Sequence, residues 1–117
     1  MGPEIKVSTV MTLVDDMLRS QIVDVPDIAR VLGTTPRSVA RWSGSGATPR
    51  RQNEERLLEL KAVVDVLREV MREEPARLWL RSPVPALDYL KPMDQIEQGE
   101  YRRVIGVILS IGEGVTA

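Results

Sequence analysis

The sequence has no cysteine, no histidine and no phenylalanine. The missing cysteines and histidines exclude disulfide bonds, zinc clusters and catalytic triads that depend on histidine. We therefore expect a protein that is not an enzyme and that holds no metal ion or cofactor. Aromatic residues make up 3% of the chain and apolar residues 43%, so the core must be mainly aliphatic.

A strong charge of either sign is also missing. Sixteen lysines and arginines oppose 17 aspartates and glutamates, which leaves a net charge of −1. This balance excludes a protein that coats nucleic acid through a general positive charge, but it allows a local basic face.

Long apolar runs are absent. The longest uncharged apolar run, at residues 104–112, is far too short to cross a bilayer. The first residues show no basic flank followed by an apolar run, which is the pattern of an export signal. We expect a cytoplasmic protein that does not contact a membrane.

Apolar residues recur at helical spacing along the chain, and no segment alternates with the period of a strand. The sequence therefore predicts an all-α fold. Predicted helices cover about residues 8–20, 25–32, 36–42, 49–72, 75–80, 92–98 and 100–111, with a short helical turn at most at 87–90.

Local signals set several of these boundaries. Asp24 is a typical N-cap, and Asp27 three residues later favours the positive start of the helix. Thr35 followed by Pro36 gives the next start signal. Gly33 and Gly99 are expected to end helices in the left-handed conformation.

The predicted helix at 49–72 is apolar over about half of its circumference, which is more than one packing partner needs. We interpret it as a spine between two lobes. Residues 1–52 would form an N-terminal lobe that binds DNA, and residues 53–117 would form the long helix and a C-terminal lobe.

The stretch IARVLGTTPRSVARW, residues 28–42, fits two short helices that cross tightly. Ala29 allows close approach of the second helix, Gly33 allows the sharp turn, and Val39 anchors the second helix. This spacing resembles the helix-turn-helix of Xre-type repressors. On the helical wheel Arg37 and Arg41 lie opposite the apolar anchors and point outward.

Residues 36–51 contain four arginines and no carboxylate. Arginine can bind guanine edges or phosphates bidentately, so this basic face is a candidate for operator DNA, bound by a homodimer on paired half-sites. The alternative is that the pattern only describes two packed helices with solvated arginines. The predicted contacts are Thr35, Arg37, Ser38 and Arg41 in the major groove region, with Arg50 and Arg51 on phosphates.

A second pattern follows in WLRSPVPALDYLKPMDQIEQGEYRRVIGVILSIGEGV, residues 79–115. It resembles the toxin-binding domain of the Xre/MbcA/ParS-like antitoxins of RES–Xre type II toxin–antitoxin systems, and most of all their MbcA branch. The family often has glycine three residues before the proline at 92, where this chain has Tyr89. The matching residues are Trp79, Ser82, Pro83, Leu87, Lys91, Pro92, Gly99, Glu100, Val104 and Gly114.

The resemblance implies an antitoxin that neutralises a RES-domain toxin, an enzyme that degrades NAD⁺, and that represses its own operon through the helix-turn-helix. It implies a hetero-oligomer with that toxin. It also implies that the C-terminal segment blocks the toxin's active site. The residues of this segment are Gly112, Glu113, Gly114, Val115, Thr116 and Ala117.

Other interpretations remain open on the residues alone. The chain could be a plain transcriptional regulator whose C-terminal half dimerises, or an adaptor that keeps the helix-turn-helix shape without binding DNA. The last six residues could be an ordinary frayed terminus.

Overall fold

The computed structural model describes residues 7–44 and 49–114. Across these residues there is no strand, only an isolated antiparallel bridge between Val84 and Leu90, and no helix is long and apolar enough to cross a membrane. The predicted all-α fold is confirmed. The helices are α1 (Val7–Arg19), α2 (Val25–Leu32), α3 (Pro36–Gly44), α4 (Arg51–Val70), α5 (Glu73–Leu80), a 3₁₀ turn (Pro85–Leu87), α6 (Pro92–Glu97) and α7 (Tyr101–Gly112).

The predicted signals at both ends of α2 are confirmed. The Asp24 carboxylate accepts a hydrogen bond from the Asp27 backbone N–H, and the Asp27 carboxylate accepts one from the Asp24 N–H, both at 2.9 Å. At the other end Gly33 has φ +67°. Its N–H and that of Thr34 donate to carbonyls of the last turn, at 3.2 and 2.9 Å, which closes a Schellman motif.

Two predicted helix starts are wrong by two residues. The long helix α4 begins at Arg51 rather than Pro49 and ends at Val70. Helix α5 begins at Glu73, so Pro75 is its third residue rather than its first. Proline is tolerated there because the first four N–H groups of a helix have no partner within it. Glu73 and Glu74 then lie in the first turn, where the helix dipole favours carboxylates.

The core is continuous from α1 to α7, and α4 lies at its centre. Helix α4 packs against α1 and α2 on one side and against α5 and α7 on the other, as predicted for a spine helix. Whether the chain divides at residues 52 and 53 stays a prediction. The buried residues of α4 are Leu57, Leu60, Val63, Val64 and Leu67.

Ion pairs tie both ends of α2 to the C-terminal lobe. Near its start, Arg81, the residue after α5, pairs with the Asp27 carboxylate. Near its end, Arg30 pairs with Asp94 and donates from Nε to Glu97 Oε2 at 3.0 Å, both on α6. Burial raises the pKa of Asp27 above its ordinary 3.8, and the hydrogen bond from Asp24 and the charge of Arg81 offset only part of this.

A second charged cluster joins α1 to α4. The Asp16 carboxylate lies 3.1 Å from Lys61 Nζ and 3.1 Å from Arg68 Nη1. The hydrogen bond from Lys61 lowers the pKa of Asp16 below its ordinary 3.8, and Arg68 adds to this effect. Because the pKa is lowered in the folded state, ionised Asp16 stabilises the fold above pH 3.8, and this contribution is lost as the pH falls through the folded-state pKa.

We therefore expect Asp16→Asn to lower the free energy of unfolding at pH 7 by roughly 0.5–1 kcal/mol, the range of exposed ion pairs in small networks. The difference from the wild type should vanish as the pH falls below 3.8, because protonated aspartic acid resembles asparagine. Urea denaturation from pH 7 to pH 3 measures this, with Glu69→Gln as the charge-matched control. An unchanged difference across this range would contradict the assignment.

Gly33 and Gly106, two of the glycines with open space around them, allow a matched test of the turn between α2 and α3. An added Cβ meets nothing within 4 Å at either Gly33 or Gly106, but only Gly33 has positive φ. Gly33→Ala should cost about 1 kcal/mol because alanine is disfavoured in the left-handed region. Gly106→Ala, inside α7, should add about 0.5–1 kcal/mol because alanine favours the helix. Chemical denaturation of both variants checks the opposite signs, and equal signs would refute the turn's role.

Candidate functional site

Helix α3, the second of the two short helices joined at Gly33, presents one apolar and one basic side. Val39 is fully buried and Trp42 nearly so, and they hold α3 against the core. Arg37 and Arg41 are exposed on the other side. Ser43 Oγ, at the end of α3, donates to Asp15 Oδ1 of α1 at 2.5 Å. Packing and this hydrogen bond therefore set the orientation of α3, and with it the side from which both arginines project.

A groove of about 440 Å³ lies between α3 and the start of α4. Three of the residues predicted to bind DNA, Ser38, Arg41 and Arg50, line it together. Arg37 and Arg51 are exposed outside the groove lining. A surface that combines arginines with hydroxyl groups can hydrogen-bond to phosphates and to base edges.

Thr35 has a structural task at the start of α3. Its Oγ1 accepts a hydrogen bond from the Ser38 backbone N–H at 3.1 Å and lies 3.1 Å from Ser38 Oγ. This is an N-cap interaction. The predicted contact residues Thr35 and Ser38 are therefore linked to each other, and a DNA contact by either hydroxyl would use its remaining hydrogen-bonding capacity.

Two groove residues were missed by sequence reasoning. Gln52 and Asn53, in the first turn of α4, line the groove beside Arg50. Their amides can donate to phosphates or read adenine edges. The signal that could have found them is their position directly after the two arginines, in the first turn of a predicted helix.

Helix α7 ends at Gly112, beside the other end of α4. Gly99, just before α7, lies near the Arg56 side chain of α4, and Gly112, the last residue of α7, lies near Val70, so α4 and α7 run parallel. An added Cβ at Gly112 would lie 3.1 Å from Val70 Cγ2, which shows how closely α7 approaches α4 there. Glu113 and Gly114 are exposed just beyond. The remaining predicted blocking residues, Val115, Thr116 and Ala117, lie outside the described residues.

These positions separate the two candidate sites. Arg50 and Arg51 flank the start of α4, and Gly112 lies beside its last residue, Val70. A helix of 20 residues is about 30 Å long. A ligand at the basic face and a ligand at the C-terminal segment could therefore be bound at the same time.

Comparisons with known proteins agree with the fold and with the resemblance read from residues 79–115. No protein-family model matches the chain. The chain is 40% identical over 89 residues, 76% of its length and 79% of theirs, to the mycobacterial cidal antitoxin MbcA of Mycobacterium bovis and of Mycobacterium tuberculosis.

The fold has a counterpart among solved structures. It matches a chain of the crystal structure of the M. tuberculosis MbcT–MbcA toxin–antitoxin complex with a TM-score of 0.82 and 34% sequence identity. The match covers 92% of this chain and 96% of that one. From its sequence and its fold, the chain belongs to the MbcA family of antitoxins.

Proposed function

We propose that this chain neutralises a RES-domain toxin that degrades NAD⁺, and that it represses its own operon through the basic face of α3 and α4. The observation that carries the proposal is the placement of the two candidate sites at opposite ends of α4 in a chain that matches a partner of a toxin–antitoxin complex. One molecule can then meet a toxin and DNA together.

The C-terminal segment, residues 112–117, is the proposed blocking element. Gly112, Glu113 and Gly114 are exposed where α7 ends. The two glycines have no side chain, which suits a narrow cleft, and the Glu113 carboxylate can pair with the cationic groups that an NAD⁺ site needs for the pyrophosphate. The antitoxin would act by occupying the cleft and excluding NAD⁺.

The basic face is the proposed operator contact. The exposed arginines of α3 and of the α4 start give the N-terminal lobe a positive surface although the whole chain has a net charge of −1. A single copy offers few phosphate contacts, so its affinity for DNA would be low. We propose that a homodimer, or a hetero-oligomer with the toxin, places two such faces on paired half-sites.

Removal of residues 112–117 should leave the helical fold and toxin binding largely intact while restoring NAD⁺ degradation, because α7 keeps its buried residues Val104 and Ile108. The measurement is NAD⁺ consumption by the purified complex, with circular dichroism to check folding. A chain in which these six positions carry serine and glycine controls for length. Full protection of NAD⁺ by the truncated chain would show that the segment is not the blocking element.

Arg37→Ala combined with Arg41→Ala should weaken binding to the operon's promoter at least about tenfold, since each bidentate arginine contact contributes ~1–3 kcal/mol. Toxin neutralisation should be unchanged. Gel-shift titrations at several salt concentrations measure the affinity, with and without toxin. The charge-matched control is Arg72→Ala with Arg77→Ala, two exposed arginines outside the basic face.

The DNA part of the proposal has its own contrary outcome. If the wild-type chain shifts no promoter fragment, alone or with toxin, the helix-turn-helix serves only as a scaffold and the chain is an adaptor. If the double variant loses both DNA binding and neutralisation, the substitutions have unfolded the lobe, and the matched pair Arg37→Lys with Arg41→Lys replaces it.

A further inference from the structure

The turn between the 3₁₀ element and α6 holds two consecutive residues in the left-handed backbone region. Asp88 has φ +56° and Tyr89 has φ +63°. Neither is a glycine, although glycine adopts this conformation without steric cost. The backbone of this turn is therefore strained.

The strain is held in place by a rigid frame. The Tyr89 N–H donates to the Val84 carbonyl at 2.9 Å, and Val84 and Leu90 form the isolated antiparallel bridge. Leu87, in the 3₁₀ turn, is fully buried. Arg103 of α7 donates from Nη2 to Asp88 Oδ2 at 2.8 Å. These contacts fix the direction in which Tyr89 leaves the surface.

The Tyr89 ring contributes little to the stability of the fold, because most of it is exposed. Its residue is 71% exposed, and the next residue, Leu90, is 45% exposed. A large aromatic side chain that is both exposed and strained lowers the stability of the isolated chain compared with glycine. Strain that a fold retains without burial in return is typical of sites where the strained group contacts a partner.

We propose that Tyr89 and Leu90 form a preorganised knob that inserts into an apolar pocket of the toxin, with a polar group there for the phenol hydroxyl. This inference rests on the proposed function and adds a second point of contact to the C-terminal segment. Exposed tyrosines held rigidly are frequent sources of binding energy in protein interfaces, because they bury a large area and lose few rotamers.

The position of the knob favours the toxin as its occupant. The knob is anchored on α7 through Arg103, and the C-terminal segment leaves the same helix at Gly112. Nine residues of helix separate these points by about 14 Å, well within one protein interface of standard size. The residues that flank Tyr89 and Leu90 in the chain, Asp88 and Lys91, are exposed and have opposite charges, which suits a protein surface and not a DNA phosphate backbone.

The test uses the full-length chain and its purified cognate RES-domain toxin. Tyr89→Gly should weaken toxin binding at least tenfold in calorimetric titration, and its thermal midpoint should be equal to or above that of the wild type because the strain is relieved. A tyrosine needed only by the fold would instead lower the midpoint and leave affinity unchanged. Tyr89→Phe keeps the ring and the backbone strain, so it should retain most of the affinity.

The other outcomes of this titration distinguish a failure of the knob from a failure of the proposed function. Equal toxin binding by wild type and Tyr89→Gly would overturn the knob while leaving the proposed function intact. Absence of binding by the wild type would overturn both. If Tyr89→Gly changes only the sedimentation of the chain alone, the knob contacts a second copy, and the toxin assignment is wrong.

Discussion

The burial of one wide apolar face of α4 is the constraint on which the rest of the structure depends. Five residues of this helix are buried, and neither the helices before it nor those after it cover this face alone. Because apolar area removed from water is the main favourable term in folding, both halves must pack on the same helix. That shared packing fixes the basic face at one end of α4 and the C-terminal segment at the other.

Ion pairs set the relative orientation of the packed helices. Helix α2 precedes α3 across the turn at Gly33. Its start is tied to Arg81, the residue after α5, and its end is tied through Arg30 to α6. Such partly exposed pairs contribute little stability each. Their importance is geometric, since they set the orientation of α2, and hence of α3, relative to the C-terminal lobe. The basic face of α3 and the helices that follow α4 therefore belong to one connected body.

The turn after α2 and the turn after the 3₁₀ element reach a similar backbone conformation with different residues. The turn after α2 uses Gly33, which adopts positive φ at no steric cost. The turn after the 3₁₀ element uses Asp88 and Tyr89 for a similar backbone conformation and holds it with hydrogen bonds and with Arg103. Because glycine could serve in the second turn as it does in the first, the fold does not require a tyrosine there. This is the reason for assigning Tyr89 to the binding of a partner protein.

The all-α class, most helix boundaries, the capping of α2 and the outward direction of Arg37 could be predicted from the sequence, because each depends on interactions within a few residues. The family resemblance was also readable there. The groove residues Gln52 and Asn53, the pairing of Arg30 with Glu97 across 67 positions and the parallel course of α4 and α7 were decided only in the tertiary structure. These features depend on which distant surfaces meet when apolar faces are buried together, and helical periodicity identifies such faces without naming their partners.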